Sequence, residues 1–200
     1  MLFLQGQGLL IDPARRRGSV LNLIEQLGFV QLDSINIVER AHHHILWTRM
    51  HSYRPRMLDN LQRAGSVFEH WTHDASVIPS AWFPHWRYRF KRVAWGKWLR
   101  GRMGRDYRRT LDEVIERIRR EGPLSARHFE HPGRKGGPWW DWKPAKAALE
   151  FWWRTGELAI PRRDRFEKVS DLTERALPLV HALPAPHLDE HVDWACRTAL

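Results

Sequence analysis

Pro144-Ala-Lys-Ala-Ala-Leu-Glu-Phe-Trp-Trp-Arg-Thr155-Gly-Glu-Leu158-Ala-Ile-Pro-Arg-Arg-Asp-Arg165-Phe-Glu-Lys-Val-Ser-Asp-Leu172 decides the fold. Proline suits the first turn of a helix, where its missing N–H costs nothing, and Gly156 suits the stop. Leu158-Ala-Ile160 then reads as a short apolar strand. Pro161-Arg-Arg-Asp-Arg165 is a polar turn, and Phe166 to Leu172 returns as a second strand. Upstream, Leu111, Val114, Ile115 and Ile118 recur at helical spacing until Gly122-Pro123, and Ser125 can cap a short helix containing Phe129. Pro132-Gly-Arg-Lys-Gly-Gly-Pro138 is a loop. Helices followed by strand, turn and strand make a winged helix, with Ala145–Thr155 as the expected recognition helix and Arg162–Arg165 as the expected wing tip.

The first half carries a similar pattern. Ser19 opens a helix through Val20, Leu21, Leu23, Ile24 and Leu27 that ends at Gly28. Phe29 to Asp33 reads as extended. A second helix is expected from Asn36 to Met50, packing through Ile37, Ala41, Ile45 and Trp47. A third opens at Pro55 and closes at Gly65, before an extended piece at Val67 and Phe68. The expected fold is mainly α with short β-hairpins, arranged as tandem winged-helix (helix-turn-helix) modules without detectable sequence repetition. Residues 1–86 form the first module, 87–110 a basic connecting segment, and 111–178 the second module. Residues 179–200 are a linker and the start of a truncated C-terminal region.

The chain has 200 residues and a net charge of +10, unevenly placed. Residues 87–109 hold ten Lys/Arg against the single acid Asp106, so nearly all the excess lies there. Eight of the ten are arginine, which forks onto phosphate, and Tyr88, Phe90, Trp95, Trp98 and Tyr107 are interleaved with them. Such a block is either a solvated surface or a polyanion contact, and the arginine bias favours a nucleic-acid backbone. Arg100, Arg102, Arg105 and Arg108 are the contacts expected here; Arg134, Lys135, Lys146, Arg162 and Arg163 are expected to add others. Arg15, Arg16 and Arg17 read equally as phosphate contacts or as solvated charge. The apolar stretches are too short to span a bilayer, and Met1-Leu-Phe-Leu is too short for a secretory segment, so a cytoplasmic protein is expected. The lone Cys196 excludes an internal disulfide and multi-cysteine zinc sites, and is expected to be a small apolar residue.

Gln31-Leu32-Asp33 carries the chemistry. In an extended segment residues i and i+2 share a face, so Gln31 and Asp33 point one way while Val30 and Leu32 anchor the other. An amide and a carboxylate on one face can hold and polarise water. The competing reading makes Gln31 a surface residue and Asp33 part of a helix-start turn, with Asn36 as N-cap and Glu39 closing a capping box. His42, His43 and His44 cannot converge on one ion, because consecutive helical residues point about 100° apart. His70 and His73, beside Glu69 and Asp74, lack an obvious fourth ligand, so no metal site is expected. Trp142 and one of Trp152 and Trp153 are expected in the core. Trp139, after the basic glycine-rich loop, reads either as core or as a platform for base stacking.

Gly28-Phe-Val-Gln-Leu-Asp-Ser-Ile-Asn-Ile-Val38 resembles the signature of the winged-helix DNA glycosylases that unhook interstrand crosslinks, the YcaQ/AlkX and AlkZ group. The resemblance continues through Arg40-Ala-His-His43, Phe68-Glu-His-Trp-Thr-His-Asp-Ala-Ser76, Glu130-His-Pro132, Trp139-Trp-Asp-Trp-Lys-Pro144 and Asp171-Leu-Thr173, from about Gln7 to about Pro178. It implies a monofunctional DNA glycosylase that hydrolyses the N-glycosidic bond of N7-alkylated or interstrand-crosslinked purines. In that family the Gln-apolar-Asp motif is catalytic, which here falls on Gln31 and Asp33. It also implies no cofactor or metal, and a histidine segment that supports the site structurally. The implied partner is double-stranded DNA, alkylated or crosslinked, met at the nucleoid of a bacterial cytoplasm, with no membrane and no obligate protein partner. Family members are roughly twice as long, so this chain is expected to match their N-terminal portion. Two other readings stand beside it: a non-catalytic winged-helix regulator, which explains the basic segment and the second module equally well, and a truncated, inactive family member that no longer grips DNA. The regulator leaves the Gln31/Asp33 pair unexplained.

Overall fold

The computed structural model describes residues 2–14, 18–90, 96–129 and 144–199. The chain forms two compact units, one from residues 1–85 with 179–200 and the other from residues 86–178. Each is a mixed α/β unit built on a small antiparallel sheet.

The first unit starts with α1 (Leu2–Gly6) and α2 (Val20–Leu27). Ser19 caps α2 by accepting the Asn22 N–H at 3.1 Å, and Gly28 ends it at a φ of 81°. Strand β1 (Val30–Gln31), helices α3 (Ala41–Trp47) and α4 (Pro55–Arg63), and strands β2 (Val67–Trp71) and β3 (Ala75–Pro79) follow. The sheet order is β1-β3-β2, so the first strand joins the edge of the later hairpin. Leu23, Ile24, Val30, Leu46, Tyr53 and Val77 fill the core beneath it.

The helix expected from Asn36 begins instead at Ala41. Its start is not a capping box: the Asp33 carboxylate accepts the Ile35 N–H at 2.8 Å, and that of Glu39 accepts the adjacent Arg40 N–H at 2.9 Å. These local bonds satisfy the backbone in a non-helical path. Ile37 therefore lies in solvent rather than in the core, and Trp47 is exposed and stacks on His51.

Helix α5 (Phe83–Phe90) runs across the boundary residue. The second unit continues with α6 (Gly96–Met103), α7 (Tyr107–Glu121), the short strand β4 (Leu124–Ser125), a 3₁₀ turn at Ala126–Phe129 and α8 (Pro144–Thr155). Strands β5 (Leu158–Asp164) and β6 (Glu167–Leu172) form a hairpin, and α9 (Thr173–Ala176) follows. The sheet order β4-β6-β5 repeats that of the first unit, with a helix before the first strand and a helix before the hairpin in both. Both sheets thus have a third strand that hairpins alone would lack. Ile118, Ala148, Leu149, Leu158 and Leu172 occupy the core, and Trp153 is fully buried. Leu99 of the basic segment belongs to this core too.

The hairpin turn sits at Arg165 and Phe166, both at positive φ, as a two-residue connection requires. The tip expected at Arg162–Arg165 is therefore displaced: Arg162 and Arg163 belong to β5, where the strand register holds them. Asp171 is buried against Arg175, whose guanidinium also donates to the Ile118 and Arg119 carbonyls at the end of α7. The chain then passes through α10 (Pro178–His181) to α11 (Leu188–Ala199). Trp194 of α11 stacks on His85 at 4.1 Å and meets Trp82 edge-on at 5.1 Å, within the first unit. Among the described residues, no helix is long and apolar enough to cross a membrane.

Two glycines separate backbone demand from mere flexibility. Gly156 has a φ of 84°, and a Cβ there would lie 2.5 Å from the Phe90 ring; Gly101 is helical with open space around it. Gly156→Ala should lower stability by about 1–3 kcal/mol, as overpacking does, whereas Gly101→Ala should raise it by up to about 1 kcal/mol. Urea unfolding of the two variants checks both, and equal effects would contradict the assigned conformations.

Candidate active site

Strand alternation sets the site. Val30 and Leu32 are buried, so Gln31 and Asp33 turn to the opposite, half-exposed side. Register pairs Gln31 with Ser76, and the Leu32 N–H donates to the Ala75 carbonyl at 2.8 Å, prolonging the ladder past the strand end. The β2–β3 turn brings two further side chains to Gln31. Its Nε2 donates to Asp74 Oδ2 at 3.5 Å, and its Oε1 accepts from His73 Nε2 at 3.1 Å. A carboxylate only accepts, so Asp74 fixes which way the amide faces. Asp74 is itself held, because its Oδ1 accepts the Ala75 N–H at 2.7 Å. The His73 ring also packs edge-on against Phe29 at 5.7 Å.

Asp33 is fixed through its backbone and one oxygen. Its N–H donates to Nδ1 of buried His42 at 3.2 Å, and Oδ1 takes the Ile35 N–H. Among the described residues, no hydrogen bond reaches Oδ2. The three consecutive histidines differ in burial, with His42 buried, His43 half-buried and His44 exposed, and the His42 and His43 rings lie tilted against each other at 4.2 Å. His43 Nδ1 lies 2.7 Å from the Tyr53 hydroxyl. Burial pushes the His43 imidazole below its ordinary value, against the pull of Glu39 and Asp59. Burial also raises the Tyr53 phenol far above its usual range, with Asp59 and Glu39 adding to it. Tyr53 is therefore the donor and neutral His43 the acceptor.

The resemblance implied that this histidine segment supports the site structurally, but the sequence did not show that His73 and Asp74 bond the Gln31 amide. Their signal was Trp71-Thr-His-Asp-Ala75, a tight polar turn between two apolar runs. No cluster of three or more metal-ligating side chains occurs among the described residues.

The basic segment presents a surface. Arg100, Arg102, Arg105, Arg108 and Arg109 are exposed, and a concavity of about 750 Å³ is lined by Arg100, Arg105, Asp106, Tyr107, Arg108 and Arg109. A hydrogen bond from Arg108 draws the Tyr107 phenol below its usual value. A smaller groove of about 290 Å³ lies between α8 and the hairpin, with Lys146 and Arg163 in its lining. Glu150 on α8 is committed to Arg154 at 2.7 Å and to Lys168 at 3.5 Å. Arg162 pairs with Asp164 at 3.2 Å, and Arg163 donates to the Phe166 carbonyl while its guanidinium covers that ring. Trp153 is core, and Trp152 donates its indole N–H to the Leu111 carbonyl. Arg15, Arg16, Arg17, Arg134, Lys135, Trp139 and Trp142 lie outside the described residues.

A model of the DNA glycosylase AlkZ-like family matches residues 24–200. The chain belongs to the AlkZ-like DNA glycosylase family. No solved structure matches it. Membership makes this AlkZ-like chain a DNA-binding hydrolase of DNA repair at the level of the family.

The His43 ring and the arginine surface each lead to a measurement. His43 binds its proton less tightly when folded than when unfolded, so its contribution to stability is complete above about pH 6.5 and is lost as pH falls through its folded value. Melting temperature should drop between about pH 7.5 and 5.5, and His43→Gln should flatten that drop; an identical pH profile would contradict the buried neutral ring. Replacing Arg100, Arg105 and Arg108 by glutamine should reduce the salt slope of DNA binding by about one for each phosphate that is no longer neutralised. An unchanged slope would place the concavity away from DNA.

Proposed function

We propose that this AlkZ-like chain hydrolyses the N-glycosidic bond of N7-alkylated or interstrand-crosslinked purines in double-stranded DNA, acting on its own in the cytoplasm, and that its two units are winged-helix modules. The observation that carries the reading is the shared face of Gln31 and Asp33. The repeated helix, strand, helices and hairpin, with sheet orders β1-β3-β2 and β4-β6-β5, supports the winged-helix assignment.

A purine alkylated at N7 carries positive charge and leaves with little acid assistance. What the protein must add is a placed water and negative charge beside the developing oxocarbenium ion. Asp33, through Oδ2, orients the water, accepts its proton and faces the sugar cation. Gln31 holds the same water, its amide set by Asp74 and His73, which act as positioning residues. No metal or organic cofactor enters this chemistry. Hydrolysis by water, rather than a Schiff base with strand cleavage, is supported by composition: residues 1–86 and 179–200 contain no lysine. A base crosslinked to the other strand cannot swing freely into a deep pocket, and a half-exposed strand face accommodates it better. A regulator is disfavoured by α8, whose reach consists of Lys146, Glu150 and Arg154, with Glu150 already paired twice.

Purified protein should release N7-methylguanine from alkylated DNA, leaving alkali-labile abasic sites. Asp33→Asn should slow release by roughly a hundredfold or more with little change in DNA affinity. Full activity in that variant would remove Asp33 from the chemistry, and a preference of about a hundredfold for one undamaged sequence would favour a regulator.

A further inference from the structure

The segment Ser34-Ile-Asn-Ile-Val38 leaves the strand that carries Gln31 and Asp33, and it contains no charge. Its apolar side chains lie in water: Ile35 is 65% exposed, Ile37 91% and Val38 88%. Ile37 and Val38 are the most exposed large hydrophobic residues among those described. The segment is held at both ends. Asp33 binds the Ile35 N–H through its carboxylate and His42 through its own N–H, and Glu39 accepts the Arg40 N–H just before α3. Ile and Val are branched at Cβ, so they have little rotamer freedom to lose on insertion.

We propose that Ile37 and Val38 are an apolar wedge that enters the base stack of duplex DNA beside the nucleotide held at Gln31 and Asp33. This rests on the glycosylase reading of that face. A bond inside a stacked duplex is out of reach of a strand surface unless the stack opens next to it, and aliphatic side chains placed between base steps open it. Reach is sufficient. The four residue steps from Asp33 to Ile37 span at most about 14 Å, which covers about four base steps of 3.4 Å. The tip itself carries no charge, which suits it to bases rather than to phosphates.

The test uses the whole chain and the double variant Ile37→Ser/Val38→Ser, whose exposed sites leave the core untouched. A duplex carries 2-aminopurine beside a tetrahydrofuran abasic analogue, and emission is read at saturating protein. Unstacking by the native protein raises emission severalfold, and the variant loses most of that rise. No rise with the native protein, or an equal rise with both, overturns the wedge. A self-associated native protein that the variant renders monomeric, with emission unchanged, also overturns it in favour of a contact between copies. The glycosylase reading is tested separately on single-stranded DNA containing N7-methylguanine, where no stack must be opened. Failure of the native protein on both that single strand and the same lesion in duplex refutes that reading and leaves the emission result to decide the wedge. Release from single strands by both proteins, with a loss of about tenfold or more confined to duplex, supports the wedge.

Discussion

Val30 and Leu32 are pinned in the core of the first unit, and the rest of the site depends on that constraint. A strand has a side-chain period of two, so a slip of one residue in β1 would bury Gln31 and Asp33 and expose two aliphatic groups. Pairing with β3 at Val77 and Ser76, and the added Leu32 bond to Ala75, fixes the register. The same β3 is joined to β2 by the turn that delivers His73 and Asp74 to the Gln31 amide. A hydrophobic contact thus determines the direction of the polar pair.

The two units share one sheet order but present different surfaces. In the first, the edge strand presents a carboxylate and an amide, and the loop beyond it leaves isoleucine and valine in solvent. In the second, the equivalent strand β4 is two buried residues, with the Ser125 hydroxyl held by His128 and Arg127. That unit instead offers arginines along α6 and the start of α7, and a hairpin whose arginines are braced by Asp164 and Phe166. Family membership accounts for a DNA-binding hydrolase; in the function proposed, its chemistry falls to the Gln31/Asp33 face and its DNA contacts to the arginines of the second unit.

Local signals were legible in the sequence where their partners are near. Ser19, Gly28, Gly122 and Pro144 mark helix ends because caps and φ preferences act over a few residues. The hydrophobic spacing of α7 and the alternation around Gln31 were equally plain. The start of α3 was not, because Asn36 and Glu39 satisfy the capping pattern, whereas Asp33 and Glu39 bind nearby N–H groups in another way. Strand β4 and the pairing of β1 with β3 depend on contacts more than forty residues apart, which no local pattern specifies. The Asp74 link to Gln31 follows from that same distant pairing.

The central claim is that Asp33 supplies negative charge to a sugar cation. Duplexes containing a pyrrolidine in place of the damaged nucleoside carry that charge at the sugar, and the tetrahydrofuran equivalent does not. A site complementary to the transition state binds the charged analogue more tightly. Dissociation constants for both duplexes, with the native protein and with Asp33→Asn, test this directly. The account predicts a preference for pyrrolidine of about tenfold or more in the native protein that disappears in the variant. A preference that persists unchanged in Asp33→Asn, or is absent from the native protein, would contradict it.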